Sequence, residues 1–377
     1  MTKTLTTWMA LAALAAGGCK KQKEDGGEQA AKDTPPPAAP ADAAPAAPET
    51  PKPVRIEGVE LATPESAYYD DDFDQVLVSN INGTPFEADD NGFISKVTPD
   101  GKIAELKWID GAAEKVTLNA PKGMAISSGT LYVADVNVVR KFDAVTGAPK
   151  GEVKVKGATF LNDVVAHGGV VYVSDSGLKA GEEGFEPSGT DAVYAIDSKD
   201  KITKILSGDE LGRPNGLAVV GDELYMVGFG NKELSRIDPA GKKREVVAEL
   251  PHGANDGLVA TRDGRLVVSS WECQCLVAGP PSGPFEVVAR DLKSPADIGW
   301  DSKRERAIVP HFEESALSFV PLVPGGAAAD GAAPAGGGEA GEDKAGGGEA
   351  AGEDEGGGGE AAGEDKAAPG DAPAGGE

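Results

Sequence analysis

Hydrophobic and polar positions alternate along most of the chain, in short runs separated by glycine, aspartate, asparagine and proline. In residues 216–227, for example, Gly-Leu-Ala-Val is followed by Val-Gly-Asp-Glu and then by Leu-Tyr-Met-Val. Alternation of this kind, rich in β-branched residues and bounded by turn residues, is typical of β-strands. No central stretch has the period of an amphipathic helix, so the pattern predicts an all-β domain.

The strand pattern repeats along the chain. Six similar units open at successive distances of 57, 40, 53, 41 and 40 residues, starting at Glu65, Lys122, Asn162, Asn215, Asp256 and Ala296. The two longest units, of 57 and 53 residues, contain loop-like insertions at 84–92 and 178–190. A period of about 40 residues with four strands per unit predicts a six-bladed β-propeller with four-stranded blades. Because a propeller must close its ring, we expect residues 54–59 to pair beside residues 315–322 and complete the short last blade.

The two ends of the chain differ in composition from the repeats. Residues 22–53 are rich in alanine, proline and charge, and residues 325–377 repeat glycine, alanine, glutamate and aspartate. Neither segment has the apolar residues needed to bury a core, so both are predicted to be disordered. The predicted organisation is a lipoprotein signal peptide at 1–18, a disordered tether at 19–53, the propeller at 54–324, and an acidic disordered tail at 325–377.

The N-terminus carries a candidate export signal. Lys3 precedes an apolar stretch at 5–16, too short to span a bilayer, and small residues follow up to Cys19. This arrangement resembles a bacterial lipoprotein signal, which implies cleavage before Cys19 and attachment of a lipid there. Because Lys20 follows rather than aspartate, the resemblance implies the periplasmic face of the outer membrane, in the cell envelope. The alternative is an ordinary signal peptide with an incidental cysteine.

Charge and cysteine content narrow the classes of partner. The formal net charge is −26, which argues against binding nucleic acid or an anionic membrane surface through charge. The three cysteines cannot form a disulfide framework and lack zinc spacing. Cys273 and Cys275 are either two small residues at an ordinary site or a labile disulfide. We expect a monomer, and find no P-loop, dinucleotide fingerprint or serine nucleophile motif.

The unit starts form a candidate site. In a propeller the first strand of each blade lines the central channel, so equivalent positions meet around the axis. Glu65, Asn162, Asn215 and Asp256 would bring together two carboxylates and two amide oxygens. Such a set suits one divalent cation, with Ca²⁺ favoured over Mg²⁺, Mn²⁺ or Zn²⁺. Two alternatives stand beside it: Asn-Gly and Asp-Gly are common turn signals, and Lys122 could pair with Glu65 or Asp256 and replace the metal.

The motifs at these positions resemble those of the SMP-30/gluconolactonase/LRE-like family of six-bladed propellers. The resemblance covers residues 64–320 and rests on four motifs in the family's blade order: Glu65-Ser66-Ala67-Tyr68-Tyr69-Asp70, Asn162-Asp163, Pro214-Asn215-Gly216-Leu217 and Asp256-Gly257-Leu258. It implies that Glu65, Asn162, Asn215 and Asp256 bind one divalent metal. It also implies that Asp256 is the general base in hydrolysis of a small-molecule lactone or ester.

The sequence also departs from the family pattern. Phe160 stands where sugar lactonases of the family commonly carry arginine, so a sugar acid lactone is not the obvious substrate, although Lys122 could supply a positive charge. Asp135, Asp175 and His311, at the ends of second strands, could support the site or line its rim, or could merely hydrogen-bond strand ends. The alternative function is a non-catalytic NHL-like propeller that binds a protein, glycan or small ligand.

Overall fold

The computed structural model describes residues 53–182 and 184–322. These residues form twenty-six strands and one 3-10 turn, Asp209–Leu211, and contain no α-helix. Within the same residues, no helix is long and apolar enough to cross a membrane. The predicted signal peptide, Cys19, the tether up to residue 52 and the acidic tail lie outside the described residues, so the domain bounds stay predictions.

The strands follow one another in a regular order. The chain begins with β1 (Val54–Ile56). The first blade contains β2 (Pro64–Asp70), β3 (Gln75–Asn80), β4 (Phe93–Val97) and β5 (Ile103–Asp110). The second contains β6 (Pro121–Ser127), β7 (Thr130–Asp135), β8 (Val138–Asp143) and β9 (Pro149–Lys154). The third contains β10 (Leu161–His167) and β11 (Val170–Asp175), then the added hairpin β12 (Leu178–Gly181) and β13 (Gly184–Pro187), then β14 (Ala192–Ile196) and β15 (Ile202–Ser207).

The last three blades have no such insertion. The fourth contains β16 (Pro214–Val220), β17 (Glu223–Gly228), β18 (Glu233–Asp238) and β19 (Lys243–Glu249). The fifth contains β20 (Asn255–Ala260), β21 (Leu266–Ser270), β22 (Cys275–Gly279) and β23 (Glu286–Ala289). The sixth contains β24 (Gly299–Asp301), β25 (Arg306–His311) and β26 (Ala316–Pro321). The insertion at 178–190, expected to be loop-like, is therefore a two-stranded hairpin, whereas the insertion at 84–92 is a loop as predicted.

Six four-stranded antiparallel sheets confirm the predicted six-bladed propeller. In the sixth sheet the order is β1-β26-β25-β24, with Val54 opposite Phe319 and Ile56 opposite Leu317. The N-terminal strand thus completes the last blade, as expected from the need to close the ring.

The hydrophobic core lies between the blades. Six separate clusters of buried apolar side chains occur, one at each interface between neighbouring blades. The cluster between the sixth and first blades includes Val76, Val78, Leu317 and Phe319, with Ile56 packed against it. Since this interface joins the two ends of the domain, its packing keeps the ring closed.

The closing strand gives a test of this arrangement. Ile56 packs into the interface between the sixth and first blades, whereas Val54 on the same strand is 55% exposed. Ile56→Ala is expected to lower the free energy of unfolding by about 2 kcal/mol, and Val54→Ala to change it by less than about 0.5 kcal/mol. Urea unfolding of both variants measures the difference. Equal effects of the two substitutions would contradict closure through β1.

Candidate functional site

The first strands of the six blades surround a central channel. A cavity of about 600 Å³ in this channel is lined by residues from every blade, among them Ser66, Met124, Asp163, Leu217, Leu258 and Ile298. It runs toward the carboxyl ends of the first strands. The predicted site residues are not among those that line it. They lie where the first strands begin, so cavity and candidate site occupy different parts of the channel.

A β-bulge places each of these side chains. The pairing of first and second strands shifts register next to Glu65, Lys122, Asn162, Asn215 and Asp256. In the sixth blade the same shift lies between the Pro295–His311 bridge and the Gly299–Ile308 pair. A bulge re-aims a side chain and leaves backbone groups unpaired. In the first, third and fifth blades, a serine hydroxyl of the second strand accepts a hydrogen bond from a backbone amide at the bulge. The pairs are Ser79 with Ser66, Ser174 with Asp163, and Ser269 with Gly257.

The glycines after the site residues serve close packing rather than turns. A Cβ atom at Gly216 would lie 2.5 Å from the carbonyl oxygen of Asp256, and one at Gly257 would lie 2.3 Å from the amide nitrogen of Ile298. Glycine therefore lets inner strands of neighbouring blades approach at the axis. The interpretation of Asn215-Gly216 and Asp256-Gly257 as turns is wrong, because both pairs lie within first strands.

At the equivalent position of the first strand, four blades each present a buried oxygen atom without a hydrogen-bond partner among the described residues. These atoms are Glu65 Oε2, Asn162 Oδ1, Asn215 Oδ1 and Asp256 Oδ1. In two of these side chains the other polar atom is hydrogen-bonded: Asn162 Nδ2 donates to Ser176 Oγ (3.0 Å), and the Trp271 indole N–H donates to Asp256 Oδ2 (2.8 Å). Buried polar atoms are nearly always paired. These four unpaired oxygens lie at equivalent positions and are hard donors of the kind that bind a cation. They belong to the four residues that the sequence predicts as metal ligands.

The carboxyl groups around the channel are costly to ionise. Burial raises the pKa of Asp256 to about 7, against the Trp271 hydrogen bond, which lowers it. Burial also raises the pKa of Glu65, and the nearby Asp256 raises it further. Two more acids behave alike: burial raises the pKa of Asp163 to about 7 and that of Asp297 well above its ordinary value. A cation placed among these groups would favour their charged forms.

The raised pKa values of these acids predict how the free energy of unfolding depends on pH. With folded-state pKa values near 7 for Asp163 and Asp256, against 3.8 ordinarily, the native protein binds more protons than the unfolded chain between these values. The free energy of unfolding in a chelator should therefore fall by several kcal/mol as the pH rises from 5 to 8. His311, whose pKa burial lowers, acts in the opposite direction.

Calcium separates these contributions, because a bound cation offsets the carboxylate charges and leaves His311 unaffected. Urea unfolding at pH 5 and pH 8, with chelator and with calcium, should show a larger fall in the chelator. An equal fall in both conditions would contradict the electrostatic description of the channel.

Lys122 is almost fully buried at the equivalent position of the second blade. Its Nζ donates to the backbone carbonyls of Ala120 (3.0 Å) and Pro85 (3.4 Å), and lies 4.4 Å from the ring centroid of Phe160. Burial lowers the pKa of its ammonium group, whereas Glu65 and Asp135 raise it. Within the described part of the chain, Lys122 forms no ion pair with Glu65 or Asp256. The alternative in which such a pair replaces a metal is therefore not the arrangement found.

The three second-strand residues support loops. Asp135 accepts a hydrogen bond from the Ala120 amide (2.8 Å), and Asp175 accepts one from the Phe160 amide (3.0 Å). His311 Nδ1–H donates to a backbone carbonyl (2.7 Å). All three are fully buried. Asp135 and Asp175 thus fix the segments that carry Lys122 and Phe160, and none of the three lines an open rim.

Cys273 and Cys275 form a disulfide. His252 lies beside them, and one potential ligand atom from each of the three falls within 4.8 Å of the others. The two sulfurs are bonded to each other and do not present thiolates. Of the two interpretations left open, the structure has the disulfide.

Trp271 is a site residue that the sequence reasoning missed. It follows directly on β21, the second strand of the fifth blade, and its indole N–H holds Asp256. Phe229 and Phe312 occupy the same place after β17 and β25. The sequence contains a signal for it, because an aromatic residue directly follows the second strand in three consecutive blades.

Solved structures share this architecture. A gluconolactonase from Xanthomonas campestris is 20% identical, with a TM-score of 0.55 over 71% of this chain and 89% of its own. A luciferin-regenerating enzyme is 15% identical, with a TM-score of 0.53 over 71% of this chain and 95% of its own. No known family profile matches the sequence, and no curated protein is similar to it in sequence. The structural neighbours confirm the predicted likeness to SMP-30/gluconolactonase-like propellers at the level of fold.

Proposed function

We propose that this protein is a divalent-metal-dependent hydrolase of a lactone or ester. The observation that carries the proposal is the set of four buried, unpaired oxygen atoms from Glu65, Asn162, Asn215 and Asp256. Other buried polar atoms among the described residues also lack a partner, for example Tyr194 Oη and Asn255 Oδ1, but these four oxygens lie at equivalent positions of the first strands, where one cation could contact them together. The likeness of the fold to a gluconolactonase supports the choice of reaction class.

The donor set fits a hard divalent cation. Two carboxylates and two amide oxygens, with water, give the all-oxygen environment that Ca²⁺ prefers, and Mg²⁺ or Mn²⁺ fit less well. Two negative charges would balance the charge of the ion. When bound, the cation would supply Lewis-acid polarisation of the substrate carbonyl.

Asp256 is the proposed general base. Trp271 holds its Oδ2 atom and leaves Oδ1, the oxygen of the donor set, without a hydrogen-bond partner. The carboxylate would accept the proton of the attacking water. A cation beside Asp256 would favour its charged form, so the carboxylate would be ionised and able to accept this proton near neutral pH. The water oxygen bonds to the carbonyl carbon, the bond from that carbon to the ring or ester oxygen breaks, and the leaving alkoxide takes up the proton.

The other residues orient the reacting groups. The bulges and the hydrogen bond from Asn162 to Ser176 fix the donors on rigid strands. Lys122, held by two carbonyls, places a positive charge beside the site. Because that charge is buried, it acts with little screening on an oxygen that gains negative charge.

We also propose that the enzyme works at the cell envelope, tethered through a lipid on Cys19. This rests on the resemblance of residues 1–19 to a lipoprotein signal. A membrane-bound form that incorporates labelled palmitate, and that Cys19→Ser abolishes, would support the anchor. Unchanged labelling in that variant would overturn it.

Hydrolysis assays on the purified full-length chain test the function. A panel of lactones and aryl esters is measured with calcium, with a chelator, and after calcium is restored. We expect hydrolysis of at least one substrate, its loss in the chelator, and its return with calcium. A folded protein without activity on any member of the panel would overturn the proposal and favour a non-catalytic binding propeller.

A further inference from the structure

Three phenylalanines from three separate loops meet beside the candidate site. Phe86 lies in the insertion between β3 and β4, Phe160 precedes β10, and Phe185 lies on the added hairpin β12–β13. Their ring centroids are 5.0 Å apart for Phe86 and Phe160, 5.1 Å for Phe86 and Phe185, and 5.9 Å for Phe160 and Phe185. We call them the first aromatic cluster. Distances in this range are those of favourable ring–ring contacts.

A second aromatic cluster comes from the other half of the propeller. It consists of Phe229, Trp271 and Phe312, each directly after the second strand of the fourth, fifth or sixth blade. The ring centroids of Phe229 and Trp271 are 6.0 Å apart, and those of Trp271 and Phe312 are 5.6 Å apart. All three side chains are half-buried, so their rings keep free surface.

Each cluster touches a polar residue of the site. The Phe160 ring lies 4.4 Å from Lys122 Nζ, and the Trp271 indole donates to Asp256. The first cluster therefore reaches the site at Lys122, and the second reaches it at Asp256.

The hairpin that carries Phe185 is inserted in the third blade but does not pair with its four-stranded sheet. Strands β12 and β13 form a two-stranded sheet of their own, and an isolated hairpin of this kind is marginally stable. Phe185 is 54% exposed, although it contacts Phe86 and Phe160. The hairpin thus leaves a large apolar side chain in solvent next to the site, a cost that a ligand able to cover the ring would offset.

We propose that the two aromatic clusters are the substrate-recognition surface, and that they select lactones or esters with an apolar, aryl or alkyl, substituent over polyhydroxylated sugar lactones. This inference rests on the proposed hydrolase function and specifies its substrate class. Aromatic walls with a few placed polar groups are typical of sites for apolar ligands. A sugar would instead need a hydrogen-bond partner for most of its hydroxyl groups, and six aromatic rings offer only one indole N–H, already bonded to Asp256.

Kinetics on two lactones test the selection. On the full-length chain with calcium, kcat/KM for dihydrocoumarin should exceed that for glucono-1,5-lactone by at least about tenfold. Phe185→Ala should lower kcat/KM for dihydrocoumarin by about three- to tenfold, through KM, and leave glucono-1,5-lactone unchanged. Phe73→Ala is the matched control, since Phe73 is also 54% exposed but lies in the turn between β2 and β3.

Product binding gives a readout that needs no turnover. By calorimetry, 3-(2-hydroxyphenyl)propanoate should bind at least about tenfold more tightly than gluconate, with Phe185→Ala weakening only the former. Hydrolysis that favours the sugar lactone, or equal behaviour of Phe185→Ala and Phe73→Ala, would overturn the inference. Selective binding of the aromatic product without hydrolysis of any substrate would instead overturn the hydrolase and support the apolar selectivity.

Discussion

Asp256→Asn is expected to lower kcat/KM for the best lactone or ester by at least about 1,000-fold. Asparagine keeps the shape of the side chain and its contact with Trp271, but it loses the negative charge and cannot accept the proton of the attacking water. The substitution removes the proposed base, and it leaves an uncharged amide oxygen in place of a charged cation ligand. Initial rates over a range of substrate concentrations, with saturating calcium, measure the effect.

The fold of this variant should be intact. Asp256 is buried with a raised pKa, so replacing it with a neutral side chain removes a charge that the chelated protein bears at a cost. Circular dichroism and the midpoint of urea unfolding in a chelator should match or exceed those of the unmodified protein. Asp222→Asn, in the turn between β16 and β17 where the side chain is 99% exposed, is the matched control. Activity of Asp256→Asn within about tenfold of that control would rule out Asp256 as the base.

Glu65→Gln is expected to weaken calcium binding by at least about 100-fold. The substitution keeps an oxygen atom at the first-blade position but removes one of the two negative charges that would balance the ion. Calorimetric titration of the chelated full-length chain with calcium measures the affinity. Glu60→Gln, an exposed glutamate five residues earlier in the chain, should bind calcium with unchanged affinity.

Lys122→Met should change the same affinity in the opposite direction. Burial lowers the pKa of the ammonium group, whereas the nearby Glu65 raises it. A positive charge at that place repels a cation. Methionine has a similar length and no charge, so calcium should bind about tenfold more tightly. Weaker binding in Lys122→Met would mean that Lys122 organises the oxygen donors rather than opposing the ion.

The fold was predictable from the sequence because a propeller repeats one unit. The period of the strand pattern gave the number of blades, and the short last unit required a strand from the N-terminus, which β1 supplies. The same repetition placed Glu65, Asn162, Asn215 and Asp256 at equivalent positions, although they are far apart along the chain. Equivalent positions in first strands must meet at the axis, so no knowledge of side-chain contacts was needed.

Local chemistry was harder to predict. Asn215-Gly216 has the composition of a turn, and only the 2.5 Å approach of a neighbouring blade explains its glycine. Glu65 and Asp256 occupy positions equivalent to that of Lys122 in other blades, but its ammonium group bonds to backbone carbonyls. Both outcomes depend on contacts between blades, which a single unit of the repeat does not encode.

The two aromatic clusters differ in how far the sequence predicts them. Phe229, Trp271 and Phe312 repeat at one position of the unit, so the sequence contained their signal. Phe86 and Phe185 lie in insertions that do not follow the period. Their contact with Phe160 depends on how a loop and a hairpin pack against the segment before β10, and the repeat period contains no information about that packing.

The central claim is that Glu65, Asn162, Asn215 and Asp256 hold one divalent cation. Elemental analysis of the full-length protein, loaded with calcium and then freed of unbound ion by gel filtration, tests it most directly. One calcium per chain is predicted for the unmodified protein, and none above background for the double variant Glu65→Gln, Asp256→Asn. A folded, unmodified protein that retains no calcium, magnesium or manganese, or a double variant that retains as much as the unmodified protein, would contradict the claim.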